Sequence, residues 1–284
     1  MITVQNLVHS YDGGHTLAVD HISFEIAKAE IFGFLGPNGA GKSTTQKVLT
    51  GVLPLQGGRV TVEGIDVRRP GREFFNMIGV CFEQPNFYRK FTGLENLNFF
   101  RGMYDVPTRD PRELLRLVGL GGAMNKKAGD YSKGMQQKLM LARSLVNNPR
   151  IWFLDEPTSG LDPESARNVK EIILAEKSRG TTIFLTTHNM FDAEELCDRV
   201  AFLNSGRIVA VDTPRNLKLQ YGERMVRVEY RQDGQLVTAR LSLADDKEKK
   251  RLHELLDSGC VETLHSQEAT LDEIFIKLTG KGLS

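Results

Sequence analysis

The sequence contains no apolar run that approaches the roughly 18 residues a membrane-spanning helix requires. Its first residues also lack the basic and apolar segments of a secretory signal peptide. We therefore expect a soluble, cytosolic protein, and any membrane spans it works with must come from another chain. No dense lysine or arginine tract is present and the formal net charge is +1, so nucleic acid is not an expected partner.

Cysteine is scarce, and its distribution excludes a cysteine metal site. Cys81, Cys197 and Cys260 lie far apart in sequence and show no metal-ligand spacing, which indicates a reducing compartment. With 284 residues, of which 40% are hydrophobic, the chain can bury a sizeable core. This length predicts one large domain, alone or with a small companion.

A phosphate-binding motif stands near the amino terminus. It fits the pattern G-x-x-x-x-G-K-[ST] with no mismatch and consists of Gly36, Pro37, Asn38, Gly39, Ala40, Gly41, Lys42, Ser43 and Thr44. An apolar run at 31–35 predicts a buried parallel strand before it, and a helical pattern over 43–53 follows, with Val48, Leu49 and Val52 on one face. The glycines let backbone N–H groups surround an anion. Lys42 can reach the outer phosphates, and Ser43 can hold Mg²⁺. The structural alternative for the whole motif is a glycine-rich turn before an ordinary helix.

Alternating apolar residues over 1–30 predict antiparallel strands ahead of the loop, and 59–63 predicts a further strand of that layer. Tyr11 stands just before a Gly13-Gly14 turn, where spacing alone favours a half-buried strand aromatic. Between about 85 and 148 the pattern becomes helical. Its helices are predicted to begin at a Thr92/Glu95 capping box, at Asp110-Pro111 and at Ser132, and Asn148-Pro149 should end the third. This stretch predicts a helical subdomain.

Two acidic residues follow the next apolar run, 151–154. Asp155, at the tip of a buried strand beside a phosphate loop, suits Mg²⁺ binding, and Glu156 can orient or deprotonate water. The alternative is a strand-end carboxylate that caps a turn. A further strand at 181–185 leads to His188, which on spacing alone favours a structural role.

These motifs together resemble the nucleotide-binding subunits of ABC transporters. The resemblance covers residues 1 to about 220 and includes Asp-Glu-Pro-Thr-Ser-Gly-Leu-Asp at 155–162 and Tyr-Ser-Lys-Gly-Met-Gln-Gln at 131–137. It implies ATP and Mg²⁺ as cofactors. It also implies that Tyr11 stacks on adenine, that Glu156 is the catalytic glutamate and that His188 contacts the γ-phosphate.

The resemblance further implies a site shared between two copies. The family's usual signature is Leu-Ser-Gly-Gly-Gln, and here residues 131–135 keep Ser132 and Gly134. A hydroxyl, open backbone and a helix N-terminus are what an anion site needs, and in the family this site closes on the ATP of the opposite subunit. Residues 159–162 resemble the D-loop, which meets that subunit. Ser-Lys-Gly-Met resembles the variant of ABC-2-type exporter ATPases.

One position departs from the family pattern. The family places a glutamine that touches Mg²⁺ at the end of a strand after the phosphate loop, but here the strand 78–82 runs into Glu83-Gln84-Pro85. Successive strand residues point to opposite faces, so only one of Glu83 and Gln84 should reach the metal. Register favours Glu83, and Pro85 keeps Gln84 extended. The alternative is a one-residue bulge that brings Gln84 in.

The region 221–284 has its own pattern, with strands predicted at 225–230, 236–243 and 261–264 and a helix at 247–256. A Thr270/Glu273 capping box opens a last helix. No chemistry is visible here, so we expect a small α+β accessory domain that packs or dimerises. Its final residues resemble the tail of drug, antibiotic or sodium exporter ATPases.

The predicted fold class is α/β: a P-loop NTPase core of ABC type (residues 1–220) with an antiparallel β subdomain and a helical subdomain at about 85–148, plus a small C-terminal α+β unit (221–284). We expect a homodimer that sandwiches ATP and drives export through a separate ABC-2-type membrane permease. The chain would then be cytoplasmic and peripheral at the inner face of the membrane. A cytosolic non-transport ABC ATPase is the alternative. A nucleotide-binding regulator without turnover is disfavoured by Glu156.

Overall fold

The computed structural model describes residues 1–280, in which the chain forms two compact units, one of residues 1–211 and a second that starts at Asp212. The elements up to this boundary are β1 (Ile2–Ser10), β2 (Leu17–Ile26), β3 (Ile31–Leu35), α1 (Lys42–Leu49), β4 (Gly57–Val62), β5 (Ile65–Asp66), α2 (Arg72–Met77), β6 (Ile78–Cys81), α3 (Gly93–Arg101), α4 (Pro111–Leu117), α5 (Lys133–Ser144), β7 (Ile151–Asp155), α6 (Pro163–Ser178), β8 (Thr182–Thr187), α7 (Met190–Leu196), β9 (Arg199–Asn204) and β10 (Arg207–Asp212). The second unit contains α8 (Pro214–Tyr221), β11 (Met225–Gln232), β12 (Gln235–Ser242), α9 (Asp246–Asp257), β13 (Val261–Gln267) and α10 (Leu271–Thr279). The last four residues of the predicted C-terminal region lie outside the described residues.

The core of the first unit is a six-stranded sheet in the order β10-β9-β3-β8-β7-β6. Strand β3 runs parallel to β8 and β9, and β7 runs parallel to β6 and β8. Every residue of β3, β7 and β8 is buried, as expected of parallel strands that are covered on both faces. Because these strands are parallel, their carboxyl ends meet at one edge, where Leu35 pairs with Thr187 and Asp155 with Thr186.

A second sheet, in the order β2-β1-β4-β5, forms the predicted antiparallel layer. Strand β1 pairs antiparallel with both β2 and β4, so the strand predicted at 59–63 belongs to this layer. The two sheets share one apolar core, in which Phe24 of β2 stacks on Phe32 of β3 with ring centroids 5.5 Å apart. This packing holds the phosphate loop, which follows β3, over a rigid base.

Helix α1 ends earlier than its periodicity predicted. Val48 and Leu49 are buried as expected, but the helix stops at Leu49 and Val52 is 57% exposed. Thr50 caps the helix, and Gly51 then takes a left-handed conformation with φ 73°. The prediction that Val52 lies on one helical face with Val48 and Leu49 is therefore wrong, because the chain leaves the helix before it.

The helical region contains the predicted helix starts. Thr92 and Glu95 form a reciprocal capping box at α3, the Asp110 carboxylate caps α4, and the Ser132 hydroxyl accepts the Met135 N–H at α5. Helix α5 ends at Ser144, four residues before the predicted stop at Asn148. No helix among residues 1–280 is long and apolar enough to cross a membrane.

The second unit is a three-stranded antiparallel sheet in the order β12-β11-β13, with an apolar cluster on one face. The cluster joins α9 to the sheet and contains Val226, Val228, Tyr230, Leu241 and Leu252. Strand β13 continues to Gln267, beyond the predicted 264, because it pairs with β11 as far as Met225. The Thr270/Glu273 capping box opens α10 as predicted.

Candidate nucleotide-binding and hydrolysis site

The loop between β3 and α1 has a shape that glycine alone accommodates at several points. A Cβ on Gly36 would lie 2.2 Å from the Leu203 carbonyl oxygen. Gly41 has φ 106°, and its Cβ would lie 2.4 Å from the Ala18 carbonyl oxygen. These close approaches fix the path of the loop into α1. Helix α1 begins at Lys42, so its first backbone N–H groups are available to an anion.

Lys42 is almost fully buried beneath this loop, with 6% exposure. Its Nζ donates to the carbonyl oxygens of Gly36, at 2.6 Å, and Pro37, at 3.2 Å. It also lies 3.9 Å from Glu156 Oε1. Burial lowers the pKa of Lys42, while the charges of Glu156, Asp155 and Glu83 oppose that shift. The ammonium therefore sits among carboxylates and loop carbonyls, at the base of the loop.

Asp155 and Ser43, which are 112 residues apart in sequence, meet at the end of β7. The Ser43 hydroxyl donates to Asp155 Oδ1 at 3.1 Å, and the Thr186 hydroxyl donates to the same oxygen. Sequence reasoning did not single out Thr186. Its signal is a hydroxyl at the carboxyl end of a buried strand, beside the strand that carries Asp155.

Glu156 has an unusual backbone conformation and a fixed side chain. Its φ is 49°, in the left-handed region that non-glycine residues rarely adopt and that costs on the order of 1–3 kcal/mol. Its Oε1 lies 2.9 Å from His188 Nδ1, and its Oε2 accepts from the Thr187 hydroxyl at 3.2 Å. Thr187 was also missed from the sequence. The carboxylate is thus held between β8 and Lys42 rather than capping a turn.

A cavity of about 310 Å³ brings most of the predicted residues together. It is lined by Tyr11, Ala18, Pro37, Asn38, Gly39, Ala40, Gly41, Lys42, Ser43, Thr44, Glu83, Glu156 and His188. Tyr11 is 65% exposed just beyond the end of β1, so the half-buried position that spacing favoured is wrong. Its hydroxyl lies 3.1 Å from Thr44 Oγ1, and His9 packs edge-on against its ring.

Glu83 and Gln84 differ in their relation to this cavity. Glu83 follows the end of β6 and lines the cavity, where its charge helps to raise the pKa of Lys42 against the effect of burial. Gln84 is not among the lining residues.

Ser132 and Gly134 lie outside the cavity. Ser132 is exposed and caps α5, while the buried Tyr131 anchors the turn through a 2.8 Å hydrogen bond from its hydroxyl to the Ala123 carbonyl oxygen. The first turn of α5 therefore presents a hydroxyl and backbone N–H groups to solvent.

Comparisons with known proteins identify the family of the chain. A family model for ABC transporters matches residues 19–159, and one for the fluoroquinolone efflux ABC transporter C-terminal domain matches residues 224–268. A fluoroquinolones export ATP-binding protein of Mycobacterium tuberculosis is 50% identical over 100% of this chain and 95% of its own. A daunorubicin resistance ATP-binding protein of Streptomyces coeruleorubidus is 34% identical over 94% of this chain and 92% of its own.

Solved structures similar to this chain are also ATP-binding cassettes. An ATP-binding subunit of an ABC transporter has a TM-score of 0.71 and 27% identity, over 78% of this chain and 93% of its own. A dimeric ATP-binding cassette in a post-hydrolysis state, bound to ADP and Pi, has a TM-score of 0.69 and 25% identity, over 75% of this chain and 98% of its own. The chain therefore belongs to the ABC transporter family, among the ATP-binding subunits of exporters, and it is an ATPase.

Proposed function

We propose that two copies of this chain bind two ATP molecules between them and that hydrolysis drives export through a separate ABC-2-type membrane permease. The observation that carries the proposal is the contact of Glu156 with both Lys42 and His188 in the cavity that the phosphate loop lines. A base, a cation and a γ-phosphate sensor are the groups that phosphoryl transfer to water needs at one point.

Mg²⁺ is the proposed cofactor, because the oxygen donors present at the site suit this ion. The Ser43 hydroxyl and the carboxylates of Asp155 and Glu83 are the hard oxygen donors that Mg²⁺ prefers, and they surround the loop. When bound, Mg²⁺ neutralises charge on the phosphates. Gln84 stays the alternative to Glu83 at this position. Thr186 holds the Asp155 carboxylate in place for this role.

The chain's own residues supply the rest of the chemistry. The loop N–H groups and Lys42 bind the phosphates, and Tyr11 offers its exposed ring to the adenine. Glu156 orients the attacking water and accepts its proton. His188 holds the Glu156 carboxylate and contacts the γ-phosphate as water attacks its phosphorus and ADP leaves.

The dimer explains why Ser132 and Gly134 lie outside the cavity of their own chain. We propose that the first turn of α5 completes the site of the partner copy by binding its γ-phosphate. Support comes from the similar cassette that was solved as a dimer. In this arrangement residues 159–162 also face the partner.

The permease is proposed to contact an aromatic surface formed by Tyr88, Phe91 and Phe99. These rings are 46%, 37% and 39% exposed, and the Tyr88 and Phe99 ring centroids lie 4.7 Å apart. Clustered exposed aromatics are typical of interaction surfaces. The chain would then be peripheral at the cytoplasmic face of the membrane. Copurification with a coexpressed ABC-2-type permease should be lost on Tyr88→Asp, and its persistence would reject this surface.

Fluoroquinolones are the proposed cargo class. The support is the relative at 50% identity, a fluoroquinolones export ATP-binding protein, together with the C-terminal match. Reduced fluoroquinolone accumulation in cells that express the chain with its permease is the expected result. Unchanged fluoroquinolone accumulation would reject this cargo class.

The central test uses Glu156→Gln, which keeps the shape of the side chain and removes the base. We expect ATP binding to persist, hydrolysis to fall at least about 100-fold, and an ATP-dependent dimer to accumulate in light scattering.

A second change tests the shared site in the same assay. Ser132→Arg in the Glu156→Gln background should prevent the dimer, because its side chain would fill the place of the partner's γ-phosphate. Hydrolysis at the wild-type rate by Glu156→Gln, or a monomer at all concentrations, would reject the proposed mechanism.

A further inference from the structure

The segment 83–91, which joins β6 to α3, begins at the nucleotide cavity and is held by α5. Glu83 lines the cavity at one end of this linking segment. Three residues later, both main-chain groups of Asn86 contact α5. Its N–H donates to Met140 Sδ at 3.3 Å, and its carbonyl oxygen accepts from Arg143 Nη1 at 2.6 Å.

Arg143 is placed to hold this carbonyl firmly. Its guanidinium carbon lies 4.8 Å from the centroid of the Phe100 ring in α3. This side chain of α5 therefore contacts both α3 and the linking segment. Burial lowers the pKa of Arg143, yet a guanidinium stays charged in proteins. A charged donor makes a hydrogen bond about twice as strong as a neutral one.

The short connection between Asn86 and Glu83 transmits that constraint. Only Gln84 and Pro85 separate them. Pro85 fixes its own φ and restricts the residue before it. A displacement of the Asn86 carbonyl therefore reorients Glu83 rather than being absorbed by flexible backbone.

We propose that Arg143 is a positioning residue for ATP hydrolysis, which aims Glu83 into the nucleotide cavity by holding the Asn86 carbonyl. The inference rests on the proposed role of Glu83 beside Mg²⁺. It also joins two sites, since α5 carries Ser132 at its first turn and Arg143 near its end. Movement of the helix that faces the partner's nucleotide would then shift Glu83 in the chain's own cavity.

The test is a double-mutant cycle on the full chain with Arg143→Ala and Glu83→Ala. It is read as the Mg²⁺ concentration that gives half-maximal ATPase activity and as the Mg²⁺ affinity of the ATP-bound chain in calorimetry. Each single variant should raise that concentration roughly 5- to 10-fold with KM for ATP nearly unchanged. The double variant should match the singles rather than multiply their effects, because Arg143 acts through Glu83. Arg143→Lys, which keeps a charged donor, should recover part of the shift.

Matched variants separate positioning from general loss of structure. Arg109→Ala removes another ion pair of the helical region, to the buried Glu176 at 2.6 Å, and should leave the Mg²⁺ dependence unchanged. The single tryptophan, Trp152, donates to Ser144 Oγ at 2.8 Å beside Arg143, so its fluorescence reports whether α5 keeps its place. If Arg143→Ala does not fold, Met140→Leu, which removes the other contact at similar volume, should give a smaller shift in the same direction.

The outcomes distinguish the role of Arg143 from that of Glu83. Multiplicative effects in the cycle, or an Arg143→Ala enzyme with wild-type Mg²⁺ dependence, would overturn the positioning role while leaving Glu83 in place. A Glu83→Ala enzyme with unchanged Mg²⁺ dependence would overturn both that role and the placement of Glu83. The proposed catalytic role of Glu156 is tested separately, by Glu156→Gln.

Discussion

The two units differ in whether they bury charged residues. In the first unit Lys42, Asp155 and Glu156 are 6%, 4% and 6% exposed and lie close together at or beyond the carboxyl ends of β3 and β7. In the second unit no charged residue among those described is buried, and ion pairs such as Arg231–Glu262, whose side chains are 61% and 41% exposed, lie at the surface. Buried charges are costly to desolvate, whereas exposed pairs contribute about 0–1 kcal/mol.

This difference indicates that the buried charges of the first unit serve catalysis and not stability. A hydrophobic core would hold the first unit together at least as well as a buried lysine among carboxylates. The second unit instead has an uninterrupted apolar cluster between α9 and its sheet. Its charges can therefore change with little consequence, while those of the nucleotide site cannot.

The largest expected effect follows from removing the buried cation. Lys42→Ala should lower the ATPase kcat/KM by about 10²- to 10³-fold, on the order of 3–4 kcal/mol, as for one lost preorganised donor. Weaker ATP binding should accompany it. Lys277→Ala in the second unit, where the side chain pairs with Glu223 at 3.4 Å, is the matched control and should keep full activity. Equal losses of ATPase activity in the two variants would contradict the proposed difference between the buried and the exposed charges.

The parts of this fold that the sequence predicted depend on local signals. Capping boxes such as Thr92/Glu95 and Thr270/Glu273 act across three residues, and the apolar run before Asp155 needs no information from elsewhere. The strand pattern of the second unit was predicted for the same reason.

The contacts that escaped prediction are nonlocal or depend on backbone strain. Thr187 reaches Glu156 across 31 residues because β7 and β8 are neighbours, which no window of sequence contains. The left-handed φ of Glu156 has no signal in its residue type. Helix α8 was also missed, although Thr213 caps it and proline opens it.

Thiol labelling compares the interiors of the two units directly. Cys81 is fully buried in β6, and burial raises its pKa to about 12, so at pH 8 it is protonated and a poor nucleophile. Burial also raises the pKa of Cys197. Cys260 of the second unit is only partly buried. We expect mass spectrometry to find iodoacetamide on Cys260 first in the native chain, and on all three after unfolding in guanidinium. Native labelling of Cys81 as fast as Cys260 would show that the first unit opens readily.

The smallest expected effect tests the other half of the comparison. Arg231→Ala removes an exposed ion pair with Glu262, and we expect the free energy of opening for β11 amides to change by less than about 0.5 kcal/mol. Hydrogen exchange of the full chain, followed by mass spectrometry, measures this locally and does not require the two units to unfold together. Val228→Ala, at a residue with 0% exposure in the same strand, is the control and should cost at least about 1 kcal/mol through the cavity it leaves. If Arg231→Ala cost as much as Val228→Ala, the charges of the second unit would be no more replaceable than those around Lys42, and a binding role for that sheet would have to be sought.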